Sequence, residues 1–383
     1  MKTAFVGHYA PLSKAMEQAS SAAGNQVQRQ IGEEVSKLCG ANHAALYSMT
    51  PHPTWPRGPL VSPSMIEGPT LFIGYLNLPA LKHLIFASRL FARLIKTRPS
   101  FCLQYNSYLF ENLAVLIYRW CGARRTIGII IQDIHVQKGA HLWSKRGIKS
   151  LVERASLRLA RQFDVIAPIS HAIIGDFNFD PAKCTVFQGG ITKFAEELMD
   201  DPAPPTLTDI GVFAGALERH NGIDRLVDRW IADDIVHPLH IFGRGSLTEY
   251  VEQSARRCER IVFHGFQPED VILEWQRRAR WHFCLRYSVG LNEAYFFPSK
   301  LFNIVCSAGI VVVNDFHGLP STIRDHLCVV PDDLGNLARQ LEESRPLGSP
   351  MHVKQRREMV RAAHSWSSCV QQVIQKVGEP LRA

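Results

Sequence analysis

The sequence predicts an α/β protein made of two Rossmann-like halves, each with a parallel sheet. Short apolar runs alternate with helical patterns along the chain, as strand–helix–strand units require. Several runs, such as "GIVVVND", are apolar throughout rather than alternating, as expected of strands covered on both faces. The alternation is interrupted at the Pro- and acid-rich "ELMDDPAPPTLTD" and then restarts, which reads as a linker between two domains. At 383 residues the chain is long enough to bury two sizeable cores.

In the first half, "TAFVG" is a strand ending at Gly7, and "TIGIIIQDIH" is another with Gln132, Asp133 and His135 at its polar end. Period two places Asp133 and His135 on one face if the strand runs that far. "FDVIAPIS" and a short "TVFQGGI" follow as strands. After the linker come "IGVFAGALERHNGIDRLVDRW", a strand, glycine loop and helix, and "PLHIFGRGSLTEYVEQS", which repeats the scheme. "RIVFHGF", "WHFCLRYS", "GIVVVND" and "LCVVP" are further strands, and the tail "VKQRREMVRAAHSWSSCVQQVIQKV" is helical. The expected division is 1–195, a linker over 196–208, a second domain over 209–355, and a terminal helix over 356–383.

Composition is ordinary for a globular protein, 46% hydrophobic and 20% charged. The nine cysteines form no CxxC pair, which fits reduced thiols in a cytoplasm better than a disulfide framework. The net charge of +8 is uneven: from Lys82 to Arg161 there are 15 Lys plus Arg against Glu111, Asp133 and Glu153. Lys82, Arg89, Arg93 and Lys96 share one helical stripe with apolar residues between them. Such a helix either lies on an anionic membrane surface or is the solvated face of a core helix. No nucleic-acid module accompanies the charge, so nucleic acid is not an expected partner. The Asp-x-Asp metal signature is missing, and no metal site is expected.

The stretch "NEAYFFPSKLFNIVCSAGIVVVND" holds Glu293, Ser299, Lys300 and Asn303. Pro298 and Ser299 suit a helix start, and Gly309 suits its stop. Lys300 in the first turn opposes the helix dipole, a broken local rule of the kind that marks functional sites. It is either an anion ligand or an ordinary solvated lysine.

These segments resemble, in order, the C-terminal domain of GT-B glycosyltransferases, especially the retaining glycosyltransferase family 4. "VFAGALERHNGIDRLVD" and "IFGRG" resemble its two glycine loops, with Gly215, Gly243 and Arg244. "IVFHGF", ending at Phe266, resembles its base-binding turn, and "FPSKLFNIVCSAGIVVVND" its sugar- and diphosphate-binding segment. "HSWSSCVQQV" resembles the terminal helix that returns to the N-terminal domain. The resemblance implies a GT-B fold and a nucleotide-diphosphate sugar donor, UDP or GDP, with no other cofactor. It implies a glycan or lipid-linked acceptor, a cytoplasmic or peripheral membrane setting, and bacterial polysaccharide synthesis. Lys300, Ser299, Arg244, Gly215, Gly243, Asn303 and Phe266 would bind donor. His135, Glu293 and Asp133 would act at the reacting centre, and Gly7, His8, Gly24 and Asn25 would face the acceptor. The sequence departs from the family at Ala216 and Asn221, where Arg and Lys are usual, and at Asn303, where Glu is usual. Those departures motivate the alternative of an inactive member that binds a nucleotide sugar or a partner enzyme.

Overall fold

The computed structural model describes residues 1–12, 22–79, 81–122, 124–134, 145–200, 207–289, 292–298 and 300–378; the side chains of 22, 23, 145, 146, 193, 194, 269 and 293 also fall outside the description. The chain divides into two compact units, Met1–Gly189 with Trp366–Ala383, and Gly190–Ser365.

The first unit carries strands β1 (Thr3–Gly7), β2 (Ala44–Ser48), β3 (Val61–Ser62), β4 (Met65–Glu67), β5 (Thr70–Phe72), β6 (Tyr75–Leu76), β7 (Phe101–Tyr105), β8 (Thr126–Ile131) and β9 (Val165–Pro168). Its helices are α1 (Ala22–Cys39), α2 (Leu81–Thr97), α3 (Leu109–Trp120), α4 (Lys145–Ala160) and α5 (His171–Asp176). The main sheet runs β4-β5-β2-β1-β7-β8-β9, parallel except at the β4–β5 edge. β1 is buried along its whole length, as an apolar central strand must be. The strand order reverses between β1 and β7. In open parallel sheets such a reversal opens a crevice at the carboxyl ends of the two strands.

The second unit carries α6 (Lys193–Asp200), β10 (Thr208–Ala214), α7 (Ile223–Ala232), β11 (Leu239–Phe242), α8 (Thr248–Arg257), β12 (Ile261–Gly265), α9 (Glu269–Arg278), β13 (Ala279–Phe283), α10 (Lys300–Val305), β14 (Ile310–Asn314), α11 (Ser321–Arg324), β15 (Cys328–Val330), α12 (Leu337–Glu343) and α13 (Pro350–His364). Its sheet, β12-β11-β10-β13-β14-β15, is parallel throughout and reverses order between β10 and β13. The core packs around the fully buried Trp230 and Trp281.

Three sequence expectations change. "TVFQGGI" forms no strand: Thr185 and Phe187 donate to Ile166 and Pro168 at the edge of β9, and Gly189, at φ 90°, turns the chain away. The linker expected from 196 begins inside α6, whose residues through Asp200 are helical, and the unit boundary falls earlier, at Gly189/Gly190. The terminal helix is two helices. Ser365 is extended (ψ 148°), and the His364 carbonyl accepts from the Ile191 amide, so α13 ends in the second unit. The last helix, α14 (Trp366–Gly378), joins the first unit, where Trp366, Val370 and Val373 pack into its core.

Candidate functional site

In the second unit, the carboxyl ends of β10, β11 and β13 converge on a glycine-lined, cationic surface. β10 runs into Gly215 (φ 150°) and β11 into Gly243 (φ 139°), a backbone region that favours glycine. A Cβ on Gly243 would stand 1.8 Å from the Gly215 carbonyl oxygen, so the two loops can touch because residue 243 is glycine. A Cβ on Gly215 would lie 3.3 Å from Nζ of Lys300. That amine sits 4.4 Å from the centre of the Phe213 ring and 3.5 Å from the Ala214 carbonyl. Among the described residues no acid forms an ion pair with Lys300. Burial lowers its pKa, and the nearby Arg286 lowers it further. A half-buried amine without a carboxylate is costly for stability and available to an anion.

Lys300 opens α10, whose six residues bury Leu301, Phe302, Ile304 and Val305. Gly309 does not stop this helix, which ends at Val305. The fully buried Arg356 of α13 caps its end instead, donating to the carbonyls of Val305 (2.8 Å), Ser307 (2.7 Å) and Gly309 (2.8 Å). Gly309 is needed for space, since a Cβ there would lie 2.4 Å from the Ala279 oxygen. Beneath the glycine loops is a cavity of about 220 Å³ lined by Lys300, Asn303, Gln276, Gly215 and apolar side chains.

Arg286, after β13, was missed in the sequence. It donates to Oδ1 of Asn221 at 3.2 Å, and Nδ2 of Asn221 donates to the Ala216 carbonyl at 2.9 Å. The position where the resembled family has Lys therefore ties a different cation to the first glycine loop. His220 lies near both cations; burial, then Arg286, lowers its pKa. The signal in the sequence was an arginine immediately after the apolar "WHFCL".

In the first unit, the loop after β1 is fixed from both sides. Gln28 accepts from the His8 amide at 2.6 Å and donates to the His8 carbonyl at 2.9 Å. A Cβ on Gly7 would come within 2.8 Å of the Gln28 side-chain oxygen. Asn25 is buried and accepts from the Ala10 amide at 3.2 Å, and Gly24 accepts from Gln28. Asn25 thus ties α1 to the loop after β1. Beside it stand His83, Tyr108 and Glu111, which the sequence did not single out. Glu111 is fully buried, and its Oε1 accepts from Nδ1 of His83 at 2.8 Å. Burial alone would raise the Glu111 carboxyl, but the His83 hydrogen bond and the His8 ring 3.5 Å away bring it down to about 2.

No family model and no curated protein sequence matches the chain. Solved structures do. A sucrose-phosphate synthase from Thermosynechococcus elongatus superposes with a TM-score of 0.63 at 16% identity, covering 100% of both chains. HepE of Anabaena, solved with UDP, gives 0.64 at 13% identity, covering 99% of this chain and 100% of that one. The lipopolysaccharide outer core galactosyltransferase WaaB, in its apo form, gives 0.63 at 13%, again covering 99% and 100%. The chain has the GT-B fold. The expectation drawn from the ordered motifs of the second half holds at the level of fold.

Within this GT-B chain, the second-unit residues picked from sequence come together in part. Lys300, Gly215 and Asn303 line one cavity. Oδ1 of Asn303 is already held by the Thr192 hydroxyl at 3.0 Å. Arg244 is exposed, with its guanidinium 4.9 Å from the centre of the exposed Phe266 ring, and no acid among the described residues pairs with it. In the first unit Asp133 is exposed, and its Oδ2 accepts from Asn106 at 2.9 Å. That bond joins the loops after β7 and β8. Glu293 opens the single turn Glu293–Tyr295, with its side chain outside the description. His135 and Ser299 lie outside the described residues.

Proposed function

We propose that this chain is a glycosyltransferase that moves a sugar from a nucleotide-diphosphate donor to a glycan or lipid-linked acceptor. The observation that carries the reading is the Lys300 amine, lodged against Gly215 with no acidic partner among the described residues and accompanied by Arg286. Fixed cations at this place would hold the donor diphosphate and stabilise the charge that develops on it as the glycosidic bond breaks. Gly215 and Gly243 let backbone approach the ligand, and Arg244 with Phe266 offers a guanidinium and an exposed ring for phosphate and base. The structurally similar HepE holds UDP, and another neighbour, from E. coli, is bound with UDP-2-fluoro glucose, which supports UDP over GDP as the first donor to test. The reading takes retention and independence from metal ions from the resemblance.

The acceptor belongs to the first unit in this reading. Arg89, Arg93 and Lys96 are exposed on α2 and edge a cavity of about 530 Å³ with Ser64, Leu71 and Ile73. Leu81 and Leu84 are also exposed on the same helix. That combination supports a peripheral position on an anionic membrane carrying a lipid-linked acceptor, with polysaccharide or lipopolysaccharide synthesis as the setting and a cytoplasmic location. No helix among the described residues is long and apolar enough to cross a membrane.

The test is a thermal-shift panel with UDP, GDP, ADP, dTDP and CMP and their sugar conjugates. One diphosphate should raise Tm in the natural protein and not in Lys300→Ala. No shift with any of them sinks the reading and favours the inactive alternative, in which Ala216 and Asn221 mark a lost donor site.

A further inference from the structure

The first unit carries a cavity of about 530 Å³ that shares no residue with the donor site. That volume lies within the range of small-molecule sites, roughly 300–1,000 Å³. Arg89, Arg93 and Lys96 of α2 line one side, and Leu71, Ile73 and Ser64 line the other. The second side is built by close backbone packing. A Cβ on Gly74 would lie 2.6 Å from the Ser64 amide nitrogen, so glycine there lets residues 62–64 lie against the chain after β5. The Gly74 amide donates to Oγ of Ser64 at 2.8 Å, which leaves the Ser64 hydroxyl proton to be donated elsewhere. The Gly74 carbonyl accepts from Nη1 of Arg89 at 2.6 Å, which fixes that guanidinium at the cavity.

The charge around the cavity is unbalanced. Between residues 35 and 110 the single acid is Glu67. Its Oε1 lies 3.6 Å from Nη1 of Arg29 and accepts from the Leu12 amide at 2.8 Å. Among the described residues no acid forms an ion pair with Arg89, Arg93 or Lys96. Like charges three and four apart on a helix repel, and apolar walls focus their field. A phosphate group relieves that repulsion, and a guanidinium fork matches two of its oxygens. The other wall points to what carries the phosphate. Ile66 is the cross-strand partner of Leu71, so the two side chains share a face, and Ile66 is 75% exposed. A hydrated free anion gains nothing from Ile66, Leu71 and Ile73, whereas a phosphate on an apolar stem does.

We propose that this cavity takes the phosphate headgroup of an anionic lipid, gripped by Arg93 and Lys96, with Ser64 donating to a phosphate oxygen and Ile66 at the lip in the interfacial layer. This rests on the membrane setting of the proposed function and not on its donor site. Diffuse attraction of a basic helix to a charged surface depends on charge and is screened over a Debye length. A bound headgroup depends also on the open volume beside Ala92 and on the geometry of the Arg93 fork.

The experiment is co-sedimentation of the full chain with vesicles of phosphatidylcholine alone and of equal parts phosphatidylcholine and phosphatidylglycerol. The natural protein should bind the mixed vesicles and not the neutral ones; equal binding to both overturns the proposal. Arg93→Gln and Lys96→Gln should each weaken binding about fivefold, the usual effect of one cation near an anionic surface. Ala92→Trp tests the cavity itself. Ala92 is exposed and lines the cavity, so tryptophan there fills it without changing any charge. Affinity should fall by roughly tenfold or more, the effect of losing one charge-assisted hydrogen bond. Under diffuse attraction the added indole, which favours the interface, should raise affinity instead. Equal or tighter binding by Ala92→Trp overturns the proposal and leaves the membrane setting standing. Arg93→Lys keeps the charge, removes the fork and should weaken binding several-fold. It carries the test if Ala92→Trp fails to fold, and unchanged affinity then overturns the proposal. A natural protein that ignores the mixed vesicles but is saturated by glycerol phosphate overturns the lipid assignment. Binding to neither vesicle refutes the membrane setting as well, while the UDP panel tests the donor reading separately.

Discussion

The two sheets reverse order at equivalent places, β1/β7 and β10/β13, yet their crevices hold opposite chemistry. The first is closed by a buried carboxylate shared between imidazoles and walled by a tyrosine ring. The second is open to backbone through Gly215 and Gly243, and its lysine has no acidic partner among the described residues. A buried charge survives when it is paired or hydrogen-bonded, and Glu111 has the His83 ring on its Oε1, although its Oε2 is left without a hydrogen-bond partner among the described residues. The second holds its cation against a ring face and a carbonyl, with no acid among the described residues. The contrast separates a carboxylate held by an imidazole from an amine held by neutral groups.

The sharpest way to break this comparison is to remove each charge in turn. Glu111→Ala should cost about 2–3 kcal/mol of stability, the upper range for losing a hydrogen bond to a buried charged group. Urea unfolding measures it, and a loss under 1 kcal/mol would show the cluster to be solvated. Lys300→Met should do the reverse, holding or raising Tm while weakening UDP by about 2–3 kcal/mol, the range of a charge-assisted hydrogen bond. Calorimetry and a thermal scan on the same sample decide, and a destabilised variant with intact UDP affinity would contradict the second crevice. Arg286→Ala should weaken UDP by about 1–2 kcal/mol. If affinity is unchanged, Arg286 serves only to fix Asn221.

Acid should sharpen the contrast further. His282 and His240 of the second unit are held down to about 3 and about 4, in both cases chiefly by burial. Folding keeps them neutral, so the unfolded chain binds more protons below its own value of about 6.5. Their contribution is full above that pH and is lost as pH falls toward 4. Tm should therefore drop between pH 7.5 and pH 5, with amide exchange in β11 and β13 rising; a flat profile would mean these rings reach water. Glu111, lowered to about 2, keeps its contribution above the ordinary carboxylate range and loses it only as pH falls through that low value.

How much of this was legible in the sequence depends on whether a feature is local. The parallel sheets followed from apolar runs such as "GIVVVND", and Lys300 from a cation at a helix start. Arg286 and His83 were not legible, because each acquires its role from a partner distant in sequence: Asn221 is 65 residues from Arg286, and Glu111 is 28 from His83. Glu111 did leave a trace, as one of three acids in a strongly basic segment and within an apolar helix. An acid retained there needs a buried reason. The helical tail misled for the opposite reason. Its periodicity continues through Ser365, and only the tertiary bond from Ile191 to the His364 carbonyl marks the break.

The sequence by itself determined the alternation of strands and helices, the two-part organisation, the glycine loops and the exposed Lys–Arg stripe of α2. These depend on side-chain period and backbone permission, which are properties of neighbouring residues. Tertiary structure decided which cation accompanies Lys300, which carboxylate meets which imidazole, where α10 is capped and where the tail breaks. Those are matters of desolvation and partner choice, and a side chain's charge acquires its value only from what packs around it.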